Sequence, residues 1–352
     1  MTETQELPEE IILNIFSRLP VKSLIRFTSV SKRLHFIILS DPKFAKFQLK
    51  AARRQRTQSC RLLVYTDAPQ LSSLPLASDT PSFGDPSSVR KFTLPSPKGE
   101  YLLLLGSCNG LVFLTFYAEF FYVWNPSTRF FKKLPDPGFS ILHGNLEIIY
   151  CGVGYLSATD DYKLFIAYLD LVDCKVKVEM FSLTTHIWER IEAAGDSFDI
   201  GFIVSSQGTL LNEALHWLNK QIVCFDLAVK EFRRIPLPDF GHDGNMFCYL
   251  GLYEGCLCVL RYPLGVCYSV DFWVMREYGV SDSWTMLFSS KLSDPPEWGI
   301  INWPYNSRKL MVVESSTVAS KLTEEGLELT KIDHKVGQKV GQYMLEGIGF
   351  LW

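Results

Sequence analysis

Thiols, imidazoles and one pair of adjacent acids are the groups in this chain that could do chemistry, and their spacing decides what chemistry that would be. Cys256 and Cys258, with Cys248 and Cys267 close in sequence, form the densest thiol group. Zinc loops usually separate paired ligands by about two to four residues. A one-residue gap on a strand puts both sulfurs on one face, which fits buried thiols, and no metal site is assigned. The six histidines, His35, His143, His186, His216, His242 and His334, form no spaced ligand pair, and His216 falls inside a strand pattern as a core or edge residue. Asp160 and Asp161 are neighbours. On a strand their carboxylates point to opposite faces, which suits a solvated turn better than acid–base work. No Gly-x-Ser-x-Gly elbow, phosphate loop or dinucleotide fingerprint occurs. The expectation is a noncatalytic chain without a cofactor.

The formal net charge is -3 and the sequence pI is about 6.1. Such a balance does not suit a nucleic-acid or anionic-membrane partner. Lys50, Arg53, Arg54 and Arg56 read as a solvated linker face. No run of about 18 apolar residues occurs and the first residues are acidic and polar, so neither a membrane span nor a secretory signal is expected. Nine scattered cysteines fit reduced thiols in a cytoplasmic or nuclear protein better than a disulfide framework.

The elements that would position any site divide into two textures. From residue 61 the chain is short β-branched and aromatic runs between turn residues. The first run is 61–65, and a Pro/Ser-rich stretch over 66–100 reads as a long irregular loop. Further strands are expected at 101–105, 111–116, 120–124, 129–134, 163–168, 176–182, 187–191, 222–226, 231–235, 256–261, 270–275 and 284–288. A 12-residue pattern beginning at Trp124, Phe181 and Phe225 repeats without gaps: an aromatic, a run of turn residues, an aromatic at the eighth position (Phe131, Trp188, Phe232) and an aliphatic at the eleventh (Leu134, Ile191, Ile235). Val274 and Trp284 form a looser copy.

Repeats of about 40 to 50 residues holding a few antiparallel strands are the mark of propeller blades. The fold expected for 61–352 is a β-propeller of about six blades, with a β-sandwich as the alternative. The eighth-position rings and Trp284 are expected as buried anchors between blades. Closing the ring requires joining its ends. The strand near residue 63 is therefore expected to complete a blade built mainly from residues after about 300, with Phe350 or Trp352 close to it.

Residues 1–50 have the other texture, and 51–60 read as a linker. Pro8 suits a helix start, Glu9 and Glu10 favour the positive end of its dipole, and Ile11, Ile12, Ile15, Phe16 and Leu19 recur at helical spacing until Pro20. Val21 to Phe27 gives a second short helix. Val30, Leu34, Ile37 and Ile38 give a third, and Asp41-Pro42 a break followed by a last turn or two with Phe44 and Phe47. Three short helices bury too little surface to be comfortable alone, so a partner is expected.

The order of Leu7-Pro8, Leu19-Pro20-Val-Lys-Ser-Leu24, Val30-Ser-Lys32 and Ser40-Asp-Pro-x-Phe44 resembles the F-box of plant proteins. Gly106-Ser-Cys-Asn-Gly-Leu-Val, Val123-Trp-Asn-Pro-Ser-Thr-Arg, Gly154-Tyr, Asp160-Asp-Tyr-Lys, Ala214-Leu-His-Trp-Leu and Asp271-Phe-Trp-Val-Met resemble the kelch-like F-box-associated domain. Leu34 stands where many members have Trp. The resemblance implies the substrate receptor of a Skp-cullin-F-box ubiquitin ligase, which docks on the Skp adaptor and through it the cullin scaffold, and captures a target protein with its β domain. Leu7, Pro8, Ile11, Ile15, Leu19, Pro20, Leu24, Ile25 and Val30 would supply the adaptor surface. A glycan-binding or enzymatic propeller with a helical cap is the alternative.

Overall fold

The structure, a computed structural model, describes residues 8–54, 61–65, 70–76, 83, 85–95, 102–116, 119–139, 146–192, 206–238, 245–263, 269–291, 310–313, 316–323, 326–333, 338–346 and 350–351. The chain divides into a helical unit and a β unit.

Four helices make the first: α1 (Glu9–Ser17), α2 (Val21–Phe27), α3 (Lys32–Ser40) and α4 (Pro42–Arg54). Pro8 and Pro20 sit immediately before α1 and α2, where a missing N–H costs nothing. Ser31 starts α3 by accepting the Leu34 N–H at 3.1 Å, and Asp41 accepts the Lys43 N–H at 2.9 Å before α4. α4 is the departure from expectation: the last turn or two is a 13-residue helix. Its Phe44, Phe47 and Ala51 keep helical spacing, and Lys50, Arg53 and Arg54 lie on it instead of on a linker. The core is small. Leu24, Ile37 and Phe44 are buried, with Leu13, Phe16, Leu19 and Ile38 packed against them.

The β unit opens with β1 (Arg61–Tyr65), β2 (Gln70–Pro75) and β3 (Arg90–Thr93). The second sheet is β4 (Leu102–Cys108), β5 (Leu111–Phe116), β6 (Phe120–Asn125) and β7 (Phe130–Lys133). The third is β8 (Leu146–Leu156), β9 (Asp161–Asp170), β10 (Lys175–Ser182) and β11 (Ile187–Ile191). The fourth is β12 (Thr209–Leu211), β13 (Ala214–Leu218), β14 (Ile222–Asp226) and β15 (Glu231–Ile235). The fifth is β16 (Asn245–Tyr253), β17 (Cys256–Pro263), β18 (Ser269–Met275) and β19 (Trp284–Lys291). The sixth is β20 (Leu310–Val313), β21 (Ser316–Thr323), β22 (Gly326–Asp333) and β23 (Gln338–Glu346). These are antiparallel four-stranded blades of a propeller. Innermost strands of successive sheets pack on one another, β4 on β8, β8 on β12, β12 on β16 and β16 on β20.

The last strand, β24 (Phe350–Leu351), pairs with β1 through Val64↔Leu351 and Tyr65↔Phe350. The two ends of the β unit therefore meet. The rest of that first blade differs from expectation: β2 and β3 complete it, while residues after 300 build their own sheet, and Trp352 lies outside the described residues. The 66–100 segment is thus not all loop. Ser73, buried on β2, receives the Arg61 Nε–H at 2.8 Å on its Oγ, and Arg61 Nη2 donates to the Ser73 and Ser88 carbonyls at 2.6 and 2.9 Å. Burial and the neighbouring Arg90 charge lower the pKa of that guanidinium.

The 12-residue repeat is the third strand, turn and outer strand of a blade. Its second residue (Asn125, Ser182, Asp226) accepts turn N–H groups, as Asp226 Oδ1 does from Ala228 and Val229 at 3.0 and 3.1 Å. Its sixth residue (Arg129, His186, Lys230) has φ of 63°, 58° and 61°, which reverses the chain into the outer strand. The fully buried rings are at the first position: Phe181 and Phe225 are 0% exposed. The eighth-position rings Phe131, Trp188 and Phe232 are only half-buried, because the outer strand has a neighbour on one side alone, whereas Trp284 is buried. Two of the tryptophans tie blades together: Trp188 Nε1–H donates to the Pro135 carbonyl at 2.8 Å and Trp284 Nε1–H to the Pro236 carbonyl at 3.1 Å.

Candidate protein-interaction surface

Eight large apolar side chains of the helical unit stand in solvent. Ile11, Ile15, Val21, Phe27, Val30, Phe36, Leu39 and Phe47 are exposed, half of the sixteen such residues described in the whole chain. Stripes wide enough to face two ways explain this. On α1, Leu13 and Phe16 turn to the core while Ile11 and Ile15 turn out; on α3, Ile37 and Ile38 turn in while Phe36 and Leu39 turn out.

Pro8, Ile11, Ile15, Pro20 and Val30 of the expected adaptor surface are exposed, and Ile25 is half-buried. Leu19 is half-buried and packs on the core. Leu24 is 3% exposed and is a core residue, because α2 is so short that its one inward side chain must close the helical unit. Leu7 lies outside the described residues. Val21, Phe27, Phe36 and Leu39 join the exposed set, and the second apolar stripe on α3 was the signal for two of them. Phe27 stands edge-on to Phe16, with ring centroids 5.0 Å apart. The Glu9–Arg33 ion pair at 3.3 Å is exposed on both sides and adds little. Through residue 54 the chain has ten Lys or Arg against five Asp or Glu, a balance of +5, which leaves -8 of the total -3 for the remainder.

In the β unit the chemically capable groups are tied into structure. His216 is 0% exposed on β13. The Thr209 carbonyl, 3.1 Å from Nδ1, can only accept, so Nδ1 carries the proton and Nε2 accepts from the Tyr278 hydroxyl at 2.8 Å. Burial drives the His216 pKa down to about 4. Cys224 lies 3.6 Å from the same hydroxyl, and burial raises its pKa. Cys258 is buried and its thiol is likewise pushed up by burial, while Cys256 packs beside it. Among the described residues no group of three His, Cys, Asp or Glu side chains could hold a metal ion.

Asp161 departs from the solvated turn expected of it. It is buried, accepts Ser182 Oγ–H at 2.5 Å and the Thr184 N–H at 2.9 Å, and pairs with Lys163 at 2.8 Å. Burial alone raises its pKa, but these donors together hold it below the ordinary carboxylate value. It braces the β10–β11 turn. Asp160, by contrast, sits in the turn and accepts the Tyr155 hydroxyl proton at 2.6 Å. No helix among the described residues is long and apolar enough to cross a membrane.

Comparison with known proteins agrees with both units. The F-box domain family matches residues 5–46, and the F-box associated beta propeller domain family matches residues 61–298. F-box protein CPR1 of Arabidopsis thaliana is 31% identical over 312 residues, covering 80% of this chain and 72% of that protein. The F-box/kelch-repeat protein At3g23880 of the same plant is 29% identical over 308 residues, covering 82% and 80%. The chain belongs to the plant F-box proteins that carry a C-terminal F-box-associated propeller domain.

Proposed function

We propose that this chain is the substrate-recognition subunit of a Skp-cullin-F-box ubiquitin ligase, with no catalysis of its own. The helical unit docks on a Skp-type adaptor and, through it, on the cullin scaffold; the β unit captures a target protein in the cytoplasm or nucleus. The observation that carries this reading is the exposed apolar surface of Ile11, Ile15, Val21, Val30, Phe36 and Leu39 on a unit with only three buried core side chains. Exposed apolar side chains concentrated on one small unit point to a protein interface. Membership of the F-box family favours a Skp-type adaptor as the partner, and the tied-up His216, Cys258 and Asp161 favour recognition over chemistry in the β unit. Gel filtration of the purified full chain with purified Skp adaptor and cullin tests it. A co-eluting ternary complex is the expected result; separate elution of the chain contradicts the reading.

A further inference from the structure

The β9–β10 hairpin of the third sheet is longer than the matching β13–β14 hairpin of the fourth. Phe181 pairs with Leu164 and Phe225 with Leu215, which sets a common level for the two sheets. Beyond it the fourth sheet ends at Ile222↔Leu218, equivalent to Val178↔Ala167, whereas the third continues through Lys177↔Tyr168, Val176↔Leu169 and Lys175↔Asp170. Three more residue pairs carry the tip about 10 Å further at roughly 3.3 Å per residue. β8 accompanies the extension as far as Leu146↔Asp170, while β11 covers only 178–182 of β10.

The tip presents apolar side chains where turns ordinarily carry Gly, Pro, Asn, Asp or Ser. The fourth sheet follows that habit with Asn219-Lys220-Gln221. In the third, Leu171 and Val172 are 48% and 75% exposed. The turn beneath them is fixed: Asp170 Oδ1 accepts the Val172 N–H and Asp173 Oδ1 the Lys175 N–H, each at 3.0 Å. Lys177 Nζ clasps both carboxylates, at 2.5 and 3.1 Å. The clasp sets one positive charge against two negative ones, and the neighbouring Lys175 brings the collar of the tip to no net charge. It also sets a lysine on the open edge of β10, a device that discourages strand addition there and leaves the tip as the available contact.

We propose that the Leu171–Val172 tip is a target-docking element that inserts into an apolar recess on the surface of a folded target protein. This rests on the receptor reading above and adds the kind of surface the target must offer. A convex, neutral, apolar projection fits a concave apolar site, and a turn already fixed by its own hydrogen bonds loses little freedom on docking.

Proximity labelling in plant cells with four full-length chains tests the proposal: wild type, Leu171→Ser with Val172→Ser, Lys220→Glu at the shorter turn, and Ile11→Asp with Ile15→Asp. The proteins to follow are those whose abundance falls when the wild type is expressed. The tip variant is expected to label them at least tenfold less while still labelling adaptor and cullin, with an unshifted melting temperature; Lys220→Glu should behave as wild type. The Ile11/Ile15 variant should keep those proteins and lose the adaptor. Equal labelling of them by wild type and tip variant overturns the proposal and leaves the receptor reading standing. Failure of the wild type to label adaptor and cullin overturns the receptor reading instead. A wild-type dimer in light scattering that the tip variant abolishes would reassign the tip to self-association and overturn the proposal.

Discussion

The two units spend their apolar residues in opposite ways. In the helical unit Leu24, Ile37 and Phe44 are buried while eight large apolar side chains stand in solvent. The β unit fully buries Phe113, Phe165, Phe181, Trp217, Phe225 and Phe272, and several of its exposed apolar residues, such as Leu171, Val172 and Val229, sit on hairpin turns. Charge divides along the same line, +5 through residue 54 and -8 beyond it. The β unit closes a core of its own, whereas the helical unit leaves eight large apolar side chains exposed, the surface that the proposed partner would cover. Deleting a buried side chain should therefore cost fold, and deleting an exposed helical one should cost binding.

The sharpest way to break that contrast is Phe225→Ala. Phe225 touches Phe165 and Phe232 at centroid distances of 4.6 and 4.7 Å, and its loss should destabilise the β unit by about 3 to 5 kcal/mol in urea unfolding. A melting curve like wild type's would mean that the first-position rings are not the core. Leu24→Ala should cost about 3 kcal/mol and appear as earlier loss of the helical circular-dichroism signal, with the β unit unaffected. An unchanged helical transition would return Leu24 to the surface.

Acid should act on the β unit through His216, whose folded pKa of about 4 lies below the ordinary value of 6.5. The unfolded chain then binds a proton that the folded one refuses. The stabilisation is complete above pH 6.5 and is lost as pH falls towards 4, by at most about 3 kcal/mol at 1.36 kcal/mol per pKa unit. His216→Phe should flatten that acid limb of the stability profile, and an equally steep limb in the variant would count against His216 as its source. The smallest effect belongs to Trp188→Phe, which keeps a ring but deletes the 2.8 Å bond to the Pro135 carbonyl. It should lower stability by about 1 kcal/mol, since that carbonyl is near solvent. A loss as large as that of Phe225→Ala would show the outer ring to be a core anchor after all.

Much of this was legible because it is local. Pro20 and Asp41-Pro42 break the helices where the periodicity breaks, and the 12-residue repeat corresponds to one hairpin with one left-handed residue at its sixth position. What the sequence hid depends on partners far along the chain. β8 was missed because Gly152 and Gly154 interrupt its apolar run. Their purpose lies in the next blade, where an added Cβ would run into the side chains of Leu215 and Leu227. β2 looked like loop because the serines in Gln-Leu-Ser-Ser-Leu-Pro favour no strand; Arg61, a cross-strand neighbour, satisfies Ser73. Leu24 and Val30 carry the same kind of apolar signal, and only the packing of α2, α3 and α4 decides which faces in. By contrast, Leu327-Glu-Leu-Thr330 of β22 alternates visibly, although the expected strands end at 284–288; the register shift between Lys331 and Ile332 breaks the alternation beyond it.

Isothermal titration of purified Skp adaptor into the full chain and into its Ile11→Asp, Ile15→Asp variant tests the central claim most directly. Both side chains are exposed, so the fold should survive, and charges in the centre of an apolar contact should weaken binding at least 100-fold, about 3 kcal/mol, with the β-unit melting temperature unchanged. Equal affinity for wild type and variant would contradict the account, because the exposed face of α1 would then not be the surface that the partner completes.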